Sequence, residues 1–492
     1  MPKNVVWVCT DQQRGDSLGC TGNPYAETPV LDALAAEGGL LTRVISSHPV
    51  CMPSRSSMHT GTLPLRHGVV CNGITLPRRV AGDHERASHA ATLADHLLEQ
   101  GYHTRCIGKL HLQAHQVGLE HGLRESYAMW ASGGNDGWTG PLYGFEHLEM
   151  SEKHGAQPGG AYLPWLKAKD PAAAERLMDM STWPEPPCSM GQVRASPIPA
   201  RCSATHWVAE RAEAFIESDL ATERPFFCWL GIPDPHHPWQ PPAEVAERFA
   251  DRGYLEPVSG PKQNAVACWR TGEGVAHALS DCSDAAACLA AVRRYTDAQN
   301  AVIDEAVGRV VDALKRRGLW EDTVFFFGSD HGEFLGDFGR VQKVDVSCRS
   351  LSHVPGVMWD PSGGVRGRVD RVCGGVDVGP TLCHAAGVPW EVADGRALQD
   401  GSDGLGTGRA VVQCVGNGTG TVTANHSWWT DHERLTWHAD TDELEYYDHC
   451  EDPDELINTA ADHPERCAEL KSVLVEECLG SVGRGVGRVC MW

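Results

Sequence analysis

The sequence predicts an α/β fold. A large domain over residues 1–390 has a mostly parallel central sheet flanked by helices, and a small α+β domain spans residues 391–492. Three observations predict it. Short apolar runs such as Val5-Val6-Trp7-Val8-Cys9 read as strands buried on both faces. These runs alternate with helical stretches, the pattern of parallel strands joined by crossovers. A linker rich in Gly and Asp, residues 391–408, precedes a change to short β-type runs.

Each element has its own signal. After Val5 to Cys9, Thr28-Pro29 supplies an N-cap and a proline at the first helical position, so a helix runs Val30 to Glu37 and stops at Gly38-Gly39. His89 to Gln100 reads as a helix with Leu93, Leu97 and Leu98 on one face and Gly101 as its stop; Tyr102 to Ile107 is the next strand. Residues 112–200 carry Gly133-Gly134, Gly159-Gly160 and a run of prolines from Pro184 to Pro199, which predicts a long irregular insertion. The alternation then resumes with a helix near Trp207 to Ile216, a strand Phe226 to Ile232 and a helix near Leu289 to Arg317. In that helix Ile303, Val307, Val310, Val311 and Leu314 form one apolar stripe, and Gly318 ends it. The strand Val324 to Phe327 comes next, and a last unit ends near Gly387-Val388-Pro389. Beyond the linker come Ala410 to Val415, Trp428-Trp429, Leu435 to Trp437, Glu445 to Tyr447 and a final helix Pro464 to Cys478.

Composition excludes several functions. The formal charge is −23, which argues against a nucleic-acid partner and against an anionic membrane surface. Nineteen cysteines in 492 residues fall short of a disulfide scaffold, and no Cys-x-x-Cys occurs. The apolar run after Asn4 is too short for a signal peptide, and Phe226 to Ile232 is far too short to span a membrane. These points predict a soluble, cytoplasmic chain with mostly reduced thiols, in which the sequons at Asn417 and Asn425 carry little meaning. Oligomeric state is not legible.

Ligands of open α/β sheets bind at the carboxyl ends of the strands. The residues just past each predicted strand are therefore the first candidates for a site. The four ends deliver Asp11-Gln12, Gly108-Lys109-Leu110-His111, Asp234-Pro235-His236-His237 and Ser329-Asp330-His331-Gly332. Asp11, Gln12 and Asp330 offer hard oxygen ligands, which suit Ca²⁺, Mg²⁺ or Mn²⁺, and His331 adds an imidazole. Lys109 and the histidines can bind a tetrahedral anion and handle protons. His111 and His115 are spaced as in a zinc helix but lack the glutamate between them, so His115 is expected to be a solvated loop residue. No P-loop and no Gly-x-Ser-x-Gly elbow occurs.

The specific signal is Cys51-Met52-Pro53-Ser54-Arg55 with Thr60-Gly61 after it. It resembles the signature of the sulfatase family, within the alkaline phosphatase superfamily. The likeness extends over most of the chain, through Asp11-Gln12-Gln13-Arg14, Gly108-Lys109-Leu110-His111, Pro235-His236, Ser329-Asp330-His331-Gly332-Glu333, Lys343, and Tyr447-Asp448 with Asp452-Pro453-Asp454-Glu455. The resemblance implies that a formylglycine-generating enzyme oxidises Cys51 to formylglycine, whose hydrate attacks sulfur. It implies one divalent metal, Ca²⁺ first and Mn²⁺ or Mg²⁺ next, on Asp11, Gln12, Asp330, His331 and residue 51. It implies that Arg55 orients the diol, Lys109 and Lys343 neutralise sulfate oxygens, His236 assists the leaving oxygen and His111 serves residue 51. The substrate is then a small anionic sulfate ester. Gln12 departs from the frequent Asp-Asp pair and looks like choline sulfatases and phosphonate monoester hydrolases; Phe338 stands where a histidine is frequent. A phosphonate monoester or phosphodiester hydrolase on the same scaffold is the alternative, and a catalytically idle metal-binding homologue ranks third. The Lys109 and His111 pair favours a sulfatase.

Overall fold

The computed structural model describes residues 2–77, 91–156, 159–260, 262–266, 278–400, 409–415 and 424–481. The predicted helix start at His89, linker residues 401–408, the sequon at Asn417, and Cys268 and Cys490 lie outside the described residues. An eight-stranded sheet runs, edge to edge, Gly367–Val369, Gly39–Leu41, Gly356–Trp359, Thr323–Ser329, Asn4–Asp11, Phe226–Pro235, His103–Gly108 and His147–Met150. Of these strands Gly356–Trp359 alone opposes its neighbours, so the sheet is mostly parallel.

The central strand is apolar throughout because both of its faces are covered. Val5, Trp7 and Cys9 enter one buried cluster and Val6 and Val8 the other, as alternating Cβ directions require. Helices Pro29–Glu37, Ala204–Ile216 and Ala285–Arg316 cover the Val6 face, the last through the predicted stripe from Ile303 to Leu314. Cys51–Thr60, Leu93–Glu99 and Gly375–Ala385 cover the other. Each large apolar side chain so buried stabilises by about 1.5–3 kcal/mol.

A second, seven-stranded sheet runs Glu443–Asp448, Glu433–His438, Ala424–Thr430, Arg409–Val415, Cys373–Gly374, Val44–Ile45 and His353–Val354. Its first four strands are antiparallel, and the helix Pro464–Ser481 packs on them through Leu470 and Leu474. Its other three strands come from the part of the chain that builds the large sheet. Among the described residues no helix is long and apolar enough to cross a membrane, and no cysteine is in a disulfide.

The stretch 112–200 is more ordered than predicted. It contains the helices Tyr162–Lys169 and Pro171–Met178, and His147–Met150 pairs in parallel with Arg105–Gly108 as the edge of the large sheet. A four-residue edge strand is too short to leave a hydrophobic signature among glycines and prolines. The predicted strands also run on into polar residues: Thr10 still pairs with Ser329 and Asp11 with Pro235.

Gly108 and Gly231 let two strands close up at the site. Gly108 has φ +94°, and a Cβ there would lie 2.0 Å from the Gly231 carbonyl oxygen; a Cβ on Gly231 would lie 1.9 Å from the Lys109 carbonyl oxygen. The obstacle in both cases is backbone, which cannot rotate away. Gly231→Ala should therefore destabilise by at least the ~1–3 kcal/mol typical of overpacking. The check is the urea-unfolding midpoint, and an unchanged midpoint contradicts this close approach.

Candidate active site

The ends of four neighbouring parallel strands bring the predicted groups to one sheet edge. Asp11 closes Asn4–Asp11 and Gln12 comes directly after it; Lys109 follows Gly108, His236 follows Pro235, and Asp330 and His331 follow Ser329. Residue 51 comes from the opposite direction. Cys51 is the first residue of the buried helix Cys51–Thr60, and Arg55 lies one turn later on the same face. Ser46 and Ser54 dock this helix start by donating to the Asp330 carbonyl, each at 2.5 Å.

Arg55 is fully buried and binds four partners, the Thr10 carbonyl at 3.5 Å among them. It donates Nε to Asp330 Oδ2 at 2.7 Å, Nη2 to Asp11 Oδ2 at 3.2 Å and Nη1 to the Lys109 carbonyl at 3.0 Å. Lys109 Nζ bonds Asp11 Oδ2 directly. Lys343 Nζ lies 2.8 Å from Gln12 Oε1, 3.1 Å from Cys51 Sγ, 2.9 Å from His331 Nε2 and 3.0 Å from His236 Nε2. Cys51 Sγ is also 3.3 Å from His331 Nε2 and 3.7 Å from Asp11 Oδ1.

The charges of this edge act on one another. Burial pushes the Cys51 thiol up, but Lys109, Lys343, His331 and a hydrogen bond with His111 outweigh it and hold the thiol well below its ordinary value. Asp11 meets the same contest: burial and Cys51 raise it, while Lys109, His236 and Arg55 bring it well below the usual carboxylate range. Burial, reinforced by His154 and Lys343, lowers His236 well below an ordinary imidazole. Burial with His115 and Lys109 does the same to His111.

The donor set suits a cation. One ligand atom from each of Asp11, Cys51, Asp330 and His331 lies within 4.8 Å of the others. In this structure Gln12 Oε1, Cys51 Sγ and His331 Nε2 already converge on a cationic group, Lys343 Nζ. The sequence matches the Sulfatase family model over residues 3–388, which takes in every group just described.

The chain belongs to the sulfatase family. It is 27% identical to an arylsulfatase of Clostridium perfringens over 98% of this chain and 95% of that protein. It is 24% identical to an uncharacterized sulfatase of Escherichia coli over 97% of this chain and 86% of that one. Among solved structures, the phosphonate monoester hydrolase of Agrobacterium radiobacter has the same fold, with a TM-score of 0.78 at 23% identity, covering 98% of this chain and 97% of that one.

The sulfatase's site also includes residues to which the sequence assigns no role. His154 contacts Lys109 Nζ and stacks on His236 with ring centroids 3.6 Å apart. Glu333 accepts a bond from Gln12 Nε2 and so turns Gln12 Oε1 inward. His237 Nδ1 lies 2.9 Å from the same Gln12 nitrogen and is part of the site, not a surface group. His115 is a correction. It is 7% exposed, stacked on His111 at 4.0 Å, and its Nε2 lies 3.0 Å from Glu152 and 3.6 Å from Glu125, because the loop after Lys109 folds inward over the sheet edge. His59 is buried against Trp229 at 4.2 Å, a packing role. Phe338 faces Lys262, whose Nζ is 4.7 Å from its ring centroid. Glu333 is visible in the sequence as part of the Ser329 to Glu333 motif. His154 has no local signal, since its approach depends on the edge strand His147–Met150.

Removing Arg55 would take the guanidinium from buried Asp330 and leave buried Asp11 with Lys109 as its remaining close ammonium or guanidinium partner. In sulfatase stripped of metal, Arg55→Ala should cost about 3–5 kcal/mol of unfolding free energy. Arg368→Ala, which breaks an exposed pair with Asp370, should cost less than ~1 kcal/mol. Equal losses in chemical denaturation would show that the Arg55 contacts carry no special weight.

Proposed function

We propose that this sulfatase hydrolyses a small sulfate monoester at residue 51, after a formylglycine-generating enzyme has oxidised Cys51 to formylglycine. The observation that carries the reading is the gathering of Lys109, Lys343, His111, His236 and His331 around the Cys51 side chain at the N-terminus of a buried helix. A tetrahedral monoanion needs cations and proton carriers about its oxygens, and residue 51 is placed to reach its central atom. As the hydrated aldehyde, residue 51 has one hydroxyl to displace the alcohol from sulfur and a second whose deprotonation expels sulfate, which a serine lacks.

Asp11, Gln12, Asp330, His331 and residue 51 would hold one divalent metal. Three hard oxygens favour Ca²⁺, with Mn²⁺ or Mg²⁺ as alternatives, and a bound ion would polarise a sulfate oxygen and lower the pKa of the residue-51 hydrate. Lys109 and Lys343 neutralise the remaining sulfate oxygens. Arg55 holds Asp11, Asp330 and the Lys109 backbone, and through its helix it sets the direction of residue 51. His111, kept neutral by burial, accepts the proton of residue 51, and His236 serves the departing alkoxide. The alternative, a phosphonate monoester or phosphodiester hydrolase, rests on the amide ligand Gln12, since phosphonate and sulfate esters present the same tetrahedral anion.

Cleavage after Arg43 and Arg55 releases the tryptic peptide Val44 to Arg55. From protein made with an active formylglycine-generating system, its mass should match the aldehyde; an intact thiol under those conditions refutes the nucleophile. Cys51→Ala should then abolish aryl sulfate turnover. Asp330→Ala should lose both turnover and the bound metal, and unchanged metal content would contradict the ligand assignment.

A further inference from the structure

A second cluster of metal-ligating side chains lies against His111. The His115 ring stacks on the His111 ring, with centroids 4.0 Å apart and planes 20° from parallel. His115 Nε2 is 3.0 Å from Glu152 Oε2 and 3.6 Å from Glu125 Oε2, and one ligand atom from each of the three lies within 4.8 Å of the others. Glu125 is 1% and Glu152 2% exposed.

The two carboxylates are treated very differently. Glu125 accepts from the backbone N–H groups of His111, Leu112 and Gln113, the last two at 2.9 and 3.0 Å. Glu152 has no well-formed hydrogen bond, only the 3.0 Å approach of His115 Nε2 and a contact with the Trp130 indole, and His115 Nε2 has none of good geometry either. A buried carboxylate without a hydrogen bond is costly, and a second carboxylate within reach makes it costlier. One ligand atom from each of the three residues thus lies within 4.8 Å of the others, a ligand set of one imidazole and two carboxylates.

We propose that His115, Glu125 and Glu152 bind a second divalent cation, separate from the one on Asp11 and Asp330. A mixed nitrogen and oxygen set with imidazole suits Mn²⁺ or Zn²⁺ better than Ca²⁺. The ion neutralises Glu152 and satisfies His115 Nε2. Its ligands come from the loop after His103–Gly108, from the next loop, and from just beyond the edge strand His147–Met150. Bound there, the ion ties these segments together and immobilises the ring on which His111 stacks. This site does not depend on the reaction proposed above.

Mn²⁺ is the probe of choice, because thiols compete for it weakly and this chain has many. Untagged, metal-stripped full-length protein is titrated with Mn²⁺, and free Mn²⁺ is tracked by electron paramagnetic resonance. Wild type should take up two equivalents. Glu152→Gln and His115→Asn should each take up one, as should Asp330→Ala. A single equivalent in wild type, or none in Asp330→Ala, overturns the second site. Two equivalents in both folded variants, Glu152→Gln and His115→Asn, overturn it as well. Two equivalents in Asp330→Ala would instead count against the first site, so the two readings fail separately. If both second-site variants fail to fold, wild type and Asp330→Ala decide the question.

Discussion

Asp11 and Asp330 sit without solvent exposure at the ends of neighbouring parallel strands. Taking two carboxylates out of water costs several kcal/mol each unless cations and hydrogen bonds surround them. Arg55 answers both at once, and Lys109 answers Asp11. Because Arg55 stands one helical turn after Cys51, the pairing that satisfies the carboxylates also fixes where residue 51 emerges. The same guanidinium grips the Lys109 carbonyl, so Lys109 is placed by the same contact. The proposed nucleophile, the candidate metal edge and the candidate anion subsite thus share one electrostatic requirement.

That requirement explains how a chain of charge −23 can handle an anion. The acid excess is distributed over the molecule, whereas Arg55, Lys109 and Lys343 are concentrated around Cys51. Long-range attraction does not favour substrate approach, so capture rests on contacts within the site. Histidines add to this local field without adding fixed charge: burial holds His111 and His236 neutral near pH 7. In the proposed reaction they carry protons and are not counter-ions.

Much of this arrangement is legible in the chain itself. Strands buried on both faces betray themselves by unbroken apolar runs, and parallel order then assigns the residues beyond them to one edge; Asp11, Lys109, His236 and Asp330 all emerge that way. The helix on which Cys51 and Arg55 sit has no apolar periodicity, because all ten of its residues are buried and Ser, Arg, His and Thr are among them. Only its motif marks it. His154, Glu125 and Glu152 reach the site through a short edge strand and inward-folded loops, where neither period nor composition marks them. His115 departs from its sequence expectation for the same reason: a polar loop in sequence is a buried wall in space. The nineteen cysteines have no structural explanation apart from Cys51.

Sulfate and phosphonate monoesters carry the same charge and shape, so the decisive quantity is the ratio of kcat/KM for an aryl sulfate to that for the matching aryl phosphonate monoester. It should be measured on one preparation of protein carrying the modified residue 51. With Lys109 and Lys343 set against the transferred group and His111 beside residue 51, the sulfate ester should be turned over with the larger kcat/KM. A larger value for the phosphonate would contradict the assignment and make this a phosphonate hydrolase on a sulfatase scaffold.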